Sequence, residues 1–372
     1  MRIGIDAREI QNGVFTGIGR ALYNFLHYFQ DVPNADKCIL FCEKELPFKF
    51  SDKVRTHIIE KAATFWWDQV ELTAAIEDED IELFFSPYYK IPLFSKTKKI
   101  SSVLDLMYLQ FPLYAQALKG FQKFYYQTMG RRCVASAHRV LTCSEFSADD
   151  IMKVYGIDRR KIIVIPLSVS RAYYPEPDTG RILAMRHSFG IPEKYLLYTG
   201  NFKPHKNVLT LFKSFKLLSA RYPGVSLVLA GPKTGDCAEI MRQAARANLS
   251  SRVIFTDTIM DEETLRLLYT GAYLFVMPSL YEGFGLPPVE AMACGTPVVC
   301  SNATCLPEVT KDSALLVDAR NTERLAEAVK MVLEDKVLHR ELSERGLKRA
   351  LDFSQEKIAK RMYDLFRLVV EG

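Results

Sequence analysis

"YEGFGLPPVEAMACGTPVV", residues 281–299, places one carboxylate, Glu282, in a glycine-rich turn and a second, Glu290, eight positions on. Between them stand Gly283, Phe284, Gly285, Leu286 and two prolines. The turn follows "AYLFVMPS" (272–279), a short apolar run that reads as a buried strand. Pro287 or Pro288 suits the first turn of a helix, where a missing N–H leaves nothing unsatisfied. Gly283 and Gly285 permit positive φ and close backbone approach. The N–H groups near Gly285 and Leu286 then form a concavity for an anion such as a phosphate. Strand, glycine turn and helix in that order make a unit of a parallel α/β sheet.

The alternation extends in both directions. Upstream in the same half stand strands "YLLYTG" (195–200), "VSLVLAG" (225–231) and "RVIFTD" (252–257), with helices at 206–221, 237–247 and 262–270. Downstream are "PVVCS" (297–301), "ALLVD" (314–318) and a helical tail from about 321 to 369 that breaks near Asp352–Ser354. The first half repeats the pattern with "RIGID" (2–6), "CILFC" (38–42), "IELFFS" (81–86), "ISSVLDL" (100–106), "RVLTCS" (139–144) and "KIIVIP" (161–166), and with helices at 18–29, 113–134 and 145–154. Residues 170–193, rich in proline and glycine, read as a linker. The expectation is an α/β protein of two Rossmann-like domains, 1–170 and 190–354.

Bulk properties agree. A chain of 372 residues is too long for one ordinary core. Hydrophobic residues at 48% and charged ones at 25% are those of a globular protein. No apolar run approaches the roughly 18–20 residues that span a bilayer. "MRIGIDAREI" carries charges too early for a signal peptide. Eight scattered cysteines without a CxxC read as small core residues in a reducing compartment. The net charge of +5 is modest but unevenly spread. Between 90 and 139 stand nine bases (Lys90, Lys96, Lys98, Lys99, Lys119, Lys123, Arg131, Arg132, Arg139) against one acid, Asp105, a local balance of +8. Aromatic residues are interleaved there: Phe94, Tyr108, Phe111, Tyr114, Phe121, Phe124, Tyr125 and Tyr126. Such a stretch is either a solvated helix face or a surface for anionic lipid or an anionic acceptor. No nucleic-acid motif accompanies it.

Ligands meet parallel sheets beyond the carboxyl ends of the strands. "TGNFKPHKN" (199–207) lies at such an end, with Lys206 opening the next helix. An imidazole and an ammonium at a helix N-terminus oppose its dipole. Placing His205 and Lys206 there makes sense if an anion binds between them. Glu290, in the first helical turn, reads as a dipole-complementing carboxylate worth about 0.3–1 kcal/mol, or as a bidentate acceptor for a vicinal diol such as ribose. Glu282, in the loop, is placed to accept from sugar hydroxyls. "GVFTGIGRALYNF" (13–25) offers Gly17-x-Gly19, but about seven residues separate Asp6 from Gly13. A dinucleotide fingerprint would put its first glycine directly after the strand. The spacing argues against a dehydrogenase and leaves a glycine loop over a phosphate. "DED" (78–80) precedes a strand, so it reads as a solvated helix end rather than a metal site.

With these residues in place, nearly the whole chain resembles the retaining glycosyltransferases of family 4, most tightly over 195–318. "YEGFGLPPVEAMACGTPVV" is similar to their E-x7-E signature, and "LYTGNFKPHKN" to their phosphate-binding segment. "FSPYYKIPL", "TCSEFSADDI", "KIIVIPLSV", "DEETLRLLYTGAYLFVMPS" and "LPEVTKDSALLVD" match in order and spacing. Bacterial members that build polysaccharides, many of them mannosyltransferases, are the ones it resembles most. The resemblance implies the GT-B fold: two Rossmann-like domains facing across a cleft, with a C-terminal helix, about 355–372, crossing back to the N-terminal domain. It implies that Glu290 binds the ribose hydroxyls of a nucleotide-diphosphate sugar and Glu282 the transferred sugar. The backbone of Gly283, Phe284, Gly285 and Leu286 would hold the sugar and diphosphate, and Lys206 the diphosphate. His205 stands where family members often carry arginine. The Gly17 loop would approach donor phosphate or acceptor. Asp105 is retained at a strand end where the family often has His-Asp, and Leu104 takes the histidine position.

Glu282, Lys206 and Asp105 form the implied catalytic set. Lys206 and helix N-termini would stabilise the departing nucleoside diphosphate, an effect of about 10²–10³ in rate per donor group, with no metal and no cofactor. The implied enzyme is a retaining hexosyltransferase. It moves glucose or mannose from a UDP- or GDP-linked donor to a lipid-linked or polysaccharide acceptor. A sugar-nucleotide epimerase and a non-catalytic nucleotide-sugar-binding protein are the alternatives, the latter favoured slightly by Leu104. The expected location is the cytoplasm, peripheral to the inner face of the plasma membrane through 90–139.

Overall fold

Runs such as "CILFC" (38–42) and "LFVM" (274–277) are apolar at every position, so both faces of each strand must be covered. The interior of a parallel sheet clad in helices meets that demand. The computed structural model describes the chain except residues 14–16, 34–35, 61–62 and 260 and the side chains of Phe121 and Tyr125. It divides into two units, Met1–Ser168 with Gln355–Gly372, and Val169–Ser354.

Among the described residues, the first unit holds β1 (Arg2–Asp6), β2 (Lys37–Cys42), β3 (Val54–Ile58), β4 (Leu83–Ser86), β5 (Lys98–Ser102), β6 (Arg139–Thr142) and β7 (Ile162–Val164). They pair in parallel in the order β3-β2-β1-β4-β5-β6-β7. The second unit holds β8 (Lys194–Thr199), β9 (Val225–Ala230), β10 (Val253–Phe255), β11 (Leu274–Met277), β12 (Val298–Ser301) and β13 (Leu315–Val317), in the order β10-β9-β8-β11-β12-β13. All of its pairings are parallel. Each sheet therefore changes direction of growth once, between β1 and β4 and between β8 and β11. Loops on either side of such a point diverge and leave a crevice at the carboxyl edge.

The last helix, Gln355–Glu371, belongs to the first unit. It buries Ile358, Met362, Phe366 and Val369 in one cluster with Leu22, Phe25 and Phe29 of the helix Gly17–Asp31. The Phe366 ring meets Phe25 edge-on at 5.2 Å. The Tyr363 hydroxyl donates to Asp36, which also holds the N-terminal ammonium at 2.8 Å.

Several expectations are corrected. The stretch 170–193 is not simply a linker, for it contains a helix, Thr179–Phe189. Asp178 caps it by accepting from the Gly180 N–H at 2.8 Å, and Gly190 ends it at φ 64°. The buried Glu176–Arg266 pair, at 2.7 Å, ties the chain just before it to the helix Glu262–Gly271. Prolines at 175 and 177 masked this helix because they precede its cap. Strand β3 went unread because it is an edge strand with Arg55, Thr56 and His57 inside it. The expected helix 113–134 is two, Pro112–Ala117 and Gly120–Ser136. "DED" is not wholly solvated either: Glu79 is buried and bonded by Arg2, Arg55 and His57. All eight cysteines are buried free thiols.

Phe366→Ala removes a fully buried ring and should cost the first unit about 3–5 kcal/mol. Chemical denaturation followed by probes in each unit should show the first unit's transition moving and the second's staying put. Equal movement of both would contradict this assignment of the helix.

Candidate active site

The loop after β11 must turn sharply to enter the helix Leu286–Ala293. Gly285 makes the turn in the left-handed region, at φ 85° and ψ 66°. A Cβ there would stand 2.7 Å from Leu306 Cδ2, so both conformation and space require glycine. Phe284 anchors the turn from below, 3% exposed and edge-on to Phe353 at 5.4 Å. Pro287 and Pro288 occupy the helix's first turn. Proline has no N–H, so the donors at this helix start, on the carboxyl edge of the sheet, are those of Gly285 and Leu286.

Glu282 sits in this loop and meets Lys206, with Nζ to Oε1 at 2.6 Å. The two side chains are only 12% and 15% exposed. The Glu282 amide donates to Thr304 Oγ1 at 3.2 Å, and the Cys305 thiol donates to the Glu282 carbonyl at 3.2 Å. Lys206 does not open the next helix, as expected from sequence. It closes a single 3-10 turn, Pro204–Lys206, and the helix Val208–Ser219 starts only after Asn207. Asn207 is left-handed, at φ 56°. Its side-chain amide donates to the carbonyls of Pro278 (3.2 Å) and Ala319 (2.8 Å) and accepts from the Thr210 hydroxyl (2.6 Å). One side chain thus stitches the Lys206 loop to the loop after β11. Sequence reasoning missed it; the signal was an asparagine, tolerant of that conformation, directly before an apolar helix.

His205 is 3% exposed, and its carbonyl accepts from the Leu280 N–H at 2.7 Å. Burial, reinforced by the Lys206 charge, lowers its pKa to about 4. Near neutral pH His205 therefore brings no charge, and the fixed charges of the segment are those of Lys203 and Lys206.

Glu290 lies in the second turn of its helix, not the first, and is 4% exposed. The Tyr269 hydroxyl donates to its Oε2 at 2.8 Å and lies 2.7 Å from Thr199 Oγ1. Tyr269 is fully buried, and burial followed by the Glu290 charge raises its phenol well above the ordinary value. A buried carboxylate would be costly without such a donor. Tyr269 is therefore part of the site, and its place in "LLYTGAY" reads from sequence only as one more core position of an amphipathic helix.

Lys206 and Glu282 thus meet directly, with Gly283–Leu286, His205 and Glu290 on the adjoining segments of the second unit. Gly17 and Asp105 belong to the first. Gly17 opens its helix, while residues 14–16 of its loop lie outside the described set. Asp105 accepts from the Met107 N–H at 3.0 Å. The Leu104 carbonyl accepts from the Ser147 hydroxyl at 2.8 Å and the Cys143 thiol at 3.1 Å. Among the described residues no three His, Cys, Asp or Glu side chains gather as a metal site would need.

The basic stretch is only partly a surface. Lys99 is buried and donates to the carbonyls of Pro92 and Ser95, Lys98 donates to the Val370 carbonyl, and Lys90 faces Asp68 at 3.6 Å. Lys119, Lys123, Arg131 and Arg132 are exposed at or along the helix Gly120–Ser136. Phe124, in the same helix, is 65% exposed, and the side chains of Phe121 and Tyr125 lie outside the described set. Among the described residues no helix is long and apolar enough to cross a membrane.

Comparison with known proteins bears on the family and the fold. The family model "Glycosyl transferases group 1" matches residues 184–349, and "Glycosyltransferase Family 4" matches 16–172. The O-antigen chain mannosyltransferase B of Escherichia coli is 32% identical over 238 residues, 63% of this chain and 61% of that protein. The chain thus spans under two thirds of that relative's length. Sucrose-phosphate synthase of Thermosynechococcus elongatus superposes with a TM-score of 0.79 at 21% identity, covering 99% of both chains. Anabaena Alr3699/HepE, solved in complex with UDP, gives 0.78 at 17% identity, covering 99% of this chain and 100% of that one. At these identities the structural likeness is one of fold.

The depressed His205 pKa makes a stability prediction. Between the ordinary value of about 6.5 and the native value of about 4, the unfolded chain takes up a proton that the native one refuses. Stability is therefore full above about pH 6.5 and is lost as pH falls toward 4, by about 2 kcal/mol at pH 5. Urea unfolding at pH 7 and pH 5 should show that loss in the wild type, and His205→Gln should remove about that much of the difference. An unchanged pH dependence in the variant would refute the buried neutral imidazole.

Proposed function

The chain belongs to the glycosyltransferases of group 1 and family 4, and on that premise we propose that it is a retaining, metal-independent hexosyltransferase using a nucleotide-diphosphate sugar. The observation that carries this reading is the Lys206–Glu282 pair, 76 positions apart in sequence and 2.6 Å apart in space, beside the N-terminus of Leu286–Ala293. An ammonium, a carboxylate and the N–H groups of Gly285 and Leu286 on adjoining loops match a ligand with an anionic diphosphate and a hydroxyl-rich ring.

In this reading the diphosphate lies against Lys206 and the turn at Gly283–Leu286, and Glu282 accepts from the transferred sugar's hydroxyls. Glu290, oriented by Tyr269, accepts from the ribose. His205 contributes shape and hydrogen bonding rather than charge. The acceptor hydroxyl forms its bond to the anomeric carbon as the bond from that carbon to the phosphate oxygen breaks. Attack comes from the leaving-group face, so configuration is retained, and the acceptor's proton departs on the phosphate oxygen. Lys206 and the helix terminus meet the charge that develops there, each such donor contributing about 10²–10³ in rate. Gly17 and Asp105 are proposed to act from the first unit, Gly17 toward donor phosphate or acceptor and Asp105 as a catalytic group.

Mannose is the proposed hexose, because the relative at 32% identity is a mannosyltransferase. GDP-mannose and UDP-glucose are the donors to compare, since HepE was solved with UDP. The proposed acceptor is a lipid-linked or polysaccharide glycan of the cell envelope, handled at the cytoplasmic membrane face. Lys119, Lys123, Arg131, Arg132 and the exposed Phe124 support a peripheral contact with anionic lipid. Each such base adds about 1 kcal/mol near an anionic surface.

Calorimetry tests the donor site. In excess chelator, the free nucleoside diphosphate should bind the wild type and Glu282→Gln with affinities within a few-fold, while Glu290→Gln binds more weakly by about ten-fold. Transfer from the sugar nucleotide should collapse in Glu282→Gln. Equal losses in both variants would overturn the division of roles, and loss of wild-type binding under chelation would overturn metal independence.

Vesicle sedimentation tests the membrane contact. The wild type should pellet with anionic vesicles at low salt and release as salt shortens the screening length to about 10 Å at 0.1 M. Replacing all four bases by Gln should abolish pelleting. A quadruple variant that sediments like the wild type would show that this helix is not the contact.

A further inference from the structure

The chain leaving β12 carries a backbone outlier beside the candidate site. Thr304 stands at φ 56°, and among the described residues it is the one β-branched side chain in the left-handed region. A branched Cβ there crowds the backbone, and glycine or asparagine is the ordinary occupant of such a position. Strain of this kind persists only where the surrounding structure holds it. What threonine adds over glycine is a hydroxyl, and that hydroxyl accepts from the Glu282 N–H at 3.2 Å.

The next residues extend the contact. The Cys305 thiol, fully buried, donates to the Glu282 carbonyl at 3.2 Å. Leu306 packs into the space that Gly285 leaves by having no Cβ. Three successive residues, 304 to 306, thus grip the turn at 282–285. We propose that Thr304 and Cys305 are positioning residues, a main-chain clamp that sets the direction of the Glu282 side chain toward the transferred sugar. The proposal rests on the transferase reading above and adds to it what holds Glu282 in place.

The ligand makes such a clamp necessary. Lys206 fixes the Glu282 carboxylate itself, at 2.6 Å. An ammonium carries three donors and imposes little direction, so a diphosphate lying against Lys206 shares them with Glu282. The hold of Thr304 and Cys305 does not pass through Lys206 and is the same before and after that sharing. The N–H and the carbonyl of Glu282 belong to the two peptide planes that flank its Cα, so holding both sets where Cα–Cβ points. A displacement of about 1 Å near the reacting atoms can cost about 10²-fold in rate. The loss falls on turnover rather than on nucleotide affinity, because Lys206 and Glu290 carry the proposed diphosphate and ribose contacts.

Substitutions at one position separate hydroxyl from backbone. Thr304→Ser keeps the hydroxyl, Thr304→Val keeps the shape without it, and Thr304→Gly keeps the turn without either. Turnover is read as nucleoside diphosphate released from GDP-mannose or UDP-glucose, whichever the wild type cleaves faster, with Glu282→Gln alongside. In the Val and Gly variants kcat should fall by about ten-fold or more, and in the Ser variant it should stay within about three-fold. Calorimetry should place the nucleoside diphosphate affinity of all of them within about three-fold of the wild type, which also shows that each is folded. Exchange of the Glu282 amide proton, followed by NMR, should quicken by about ten-fold in the Val and Gly variants and stay slow in Ser. Full turnover in Thr304→Gly, the residue that a turn alone would select, overturns the clamp. Unchanged amide exchange in Thr304→Val, or equal losses in Ser and Val, overturns it too. Any of these results leaves the transferase reading standing when Glu282→Gln has lost its turnover. A Glu282→Gln variant that turns over like the wild type overturns the role of Glu282, and with it the clamp's part in transfer.

Discussion

A parallel sheet sends every helix N-terminus to the same edge, and the rest of this protein is arranged around that constraint. Strand order reverses between β8 and β11, so the two loops leaving those strands part from each other. One carries Lys206 and the other Glu282, and they meet again at 2.6 Å. Two backbone choices make the meeting possible. Gly285 turns the chain where any side chain would strike Leu306, and Asn207 turns it on the opposite loop while bonding both Pro278 and Ala319. Without either, the loops would still leave the sheet at the same edge, but not in register with one another.

Charge in this crevice is rationed by burial. His205, which lies beside Lys206, is kept neutral because desolvation and the neighbouring ammonium both oppose a second cation. Glu290 can be buried because Tyr269 donates to it, and Tyr269 in turn touches Thr199 at the end of β8. That chain of hydroxyls ties Glu290 Oε2 to the end of β8. A buried network of this kind is stable only when each member is satisfied, which fixes the orientation of the whole.

Much of this was legible in the sequence. The period of buried strands and helices predicted the paired α/β units, and the glycine turn between Glu282 and Glu290 predicted the left-handed entry to the helix Leu286–Ala293. What escaped reading had local causes. Strand β3 is half polar because it lies at an edge, so it lacks the apolar run of its neighbours. The helix Thr179–Phe189 hides behind prolines that lie before its cap. Tyr269 and Asn207 carry no motif, because their importance lies in partners more than twenty residues away: Glu290, Thr199, Pro278 and Ala319. The basic stretch was over-read for a related reason. Composition counts Lys99 and Lys90 as surface charge, whereas one is buried among carbonyls and the other faces Asp68.

The two sheets follow the same order at their centres, yet different side chains stand at their switch points. At the second, Lys206 meets one carboxylate, Glu282, beside the helix start at Gly285–Leu286, a place that suits an anion. At the first, Arg8 meets Asp6 and Asp68, Lys90 faces Asp68, and tyrosines replace the glycine turn. Topology alone makes both edges ligand-binding places and is silent on the ligand. The difference is written in a few side chains: an acid at the end of β1 that takes Arg8, and a lysine after β8 that meets Glu282. The chemistry each edge can offer is therefore set by those side chains and not by the strand order.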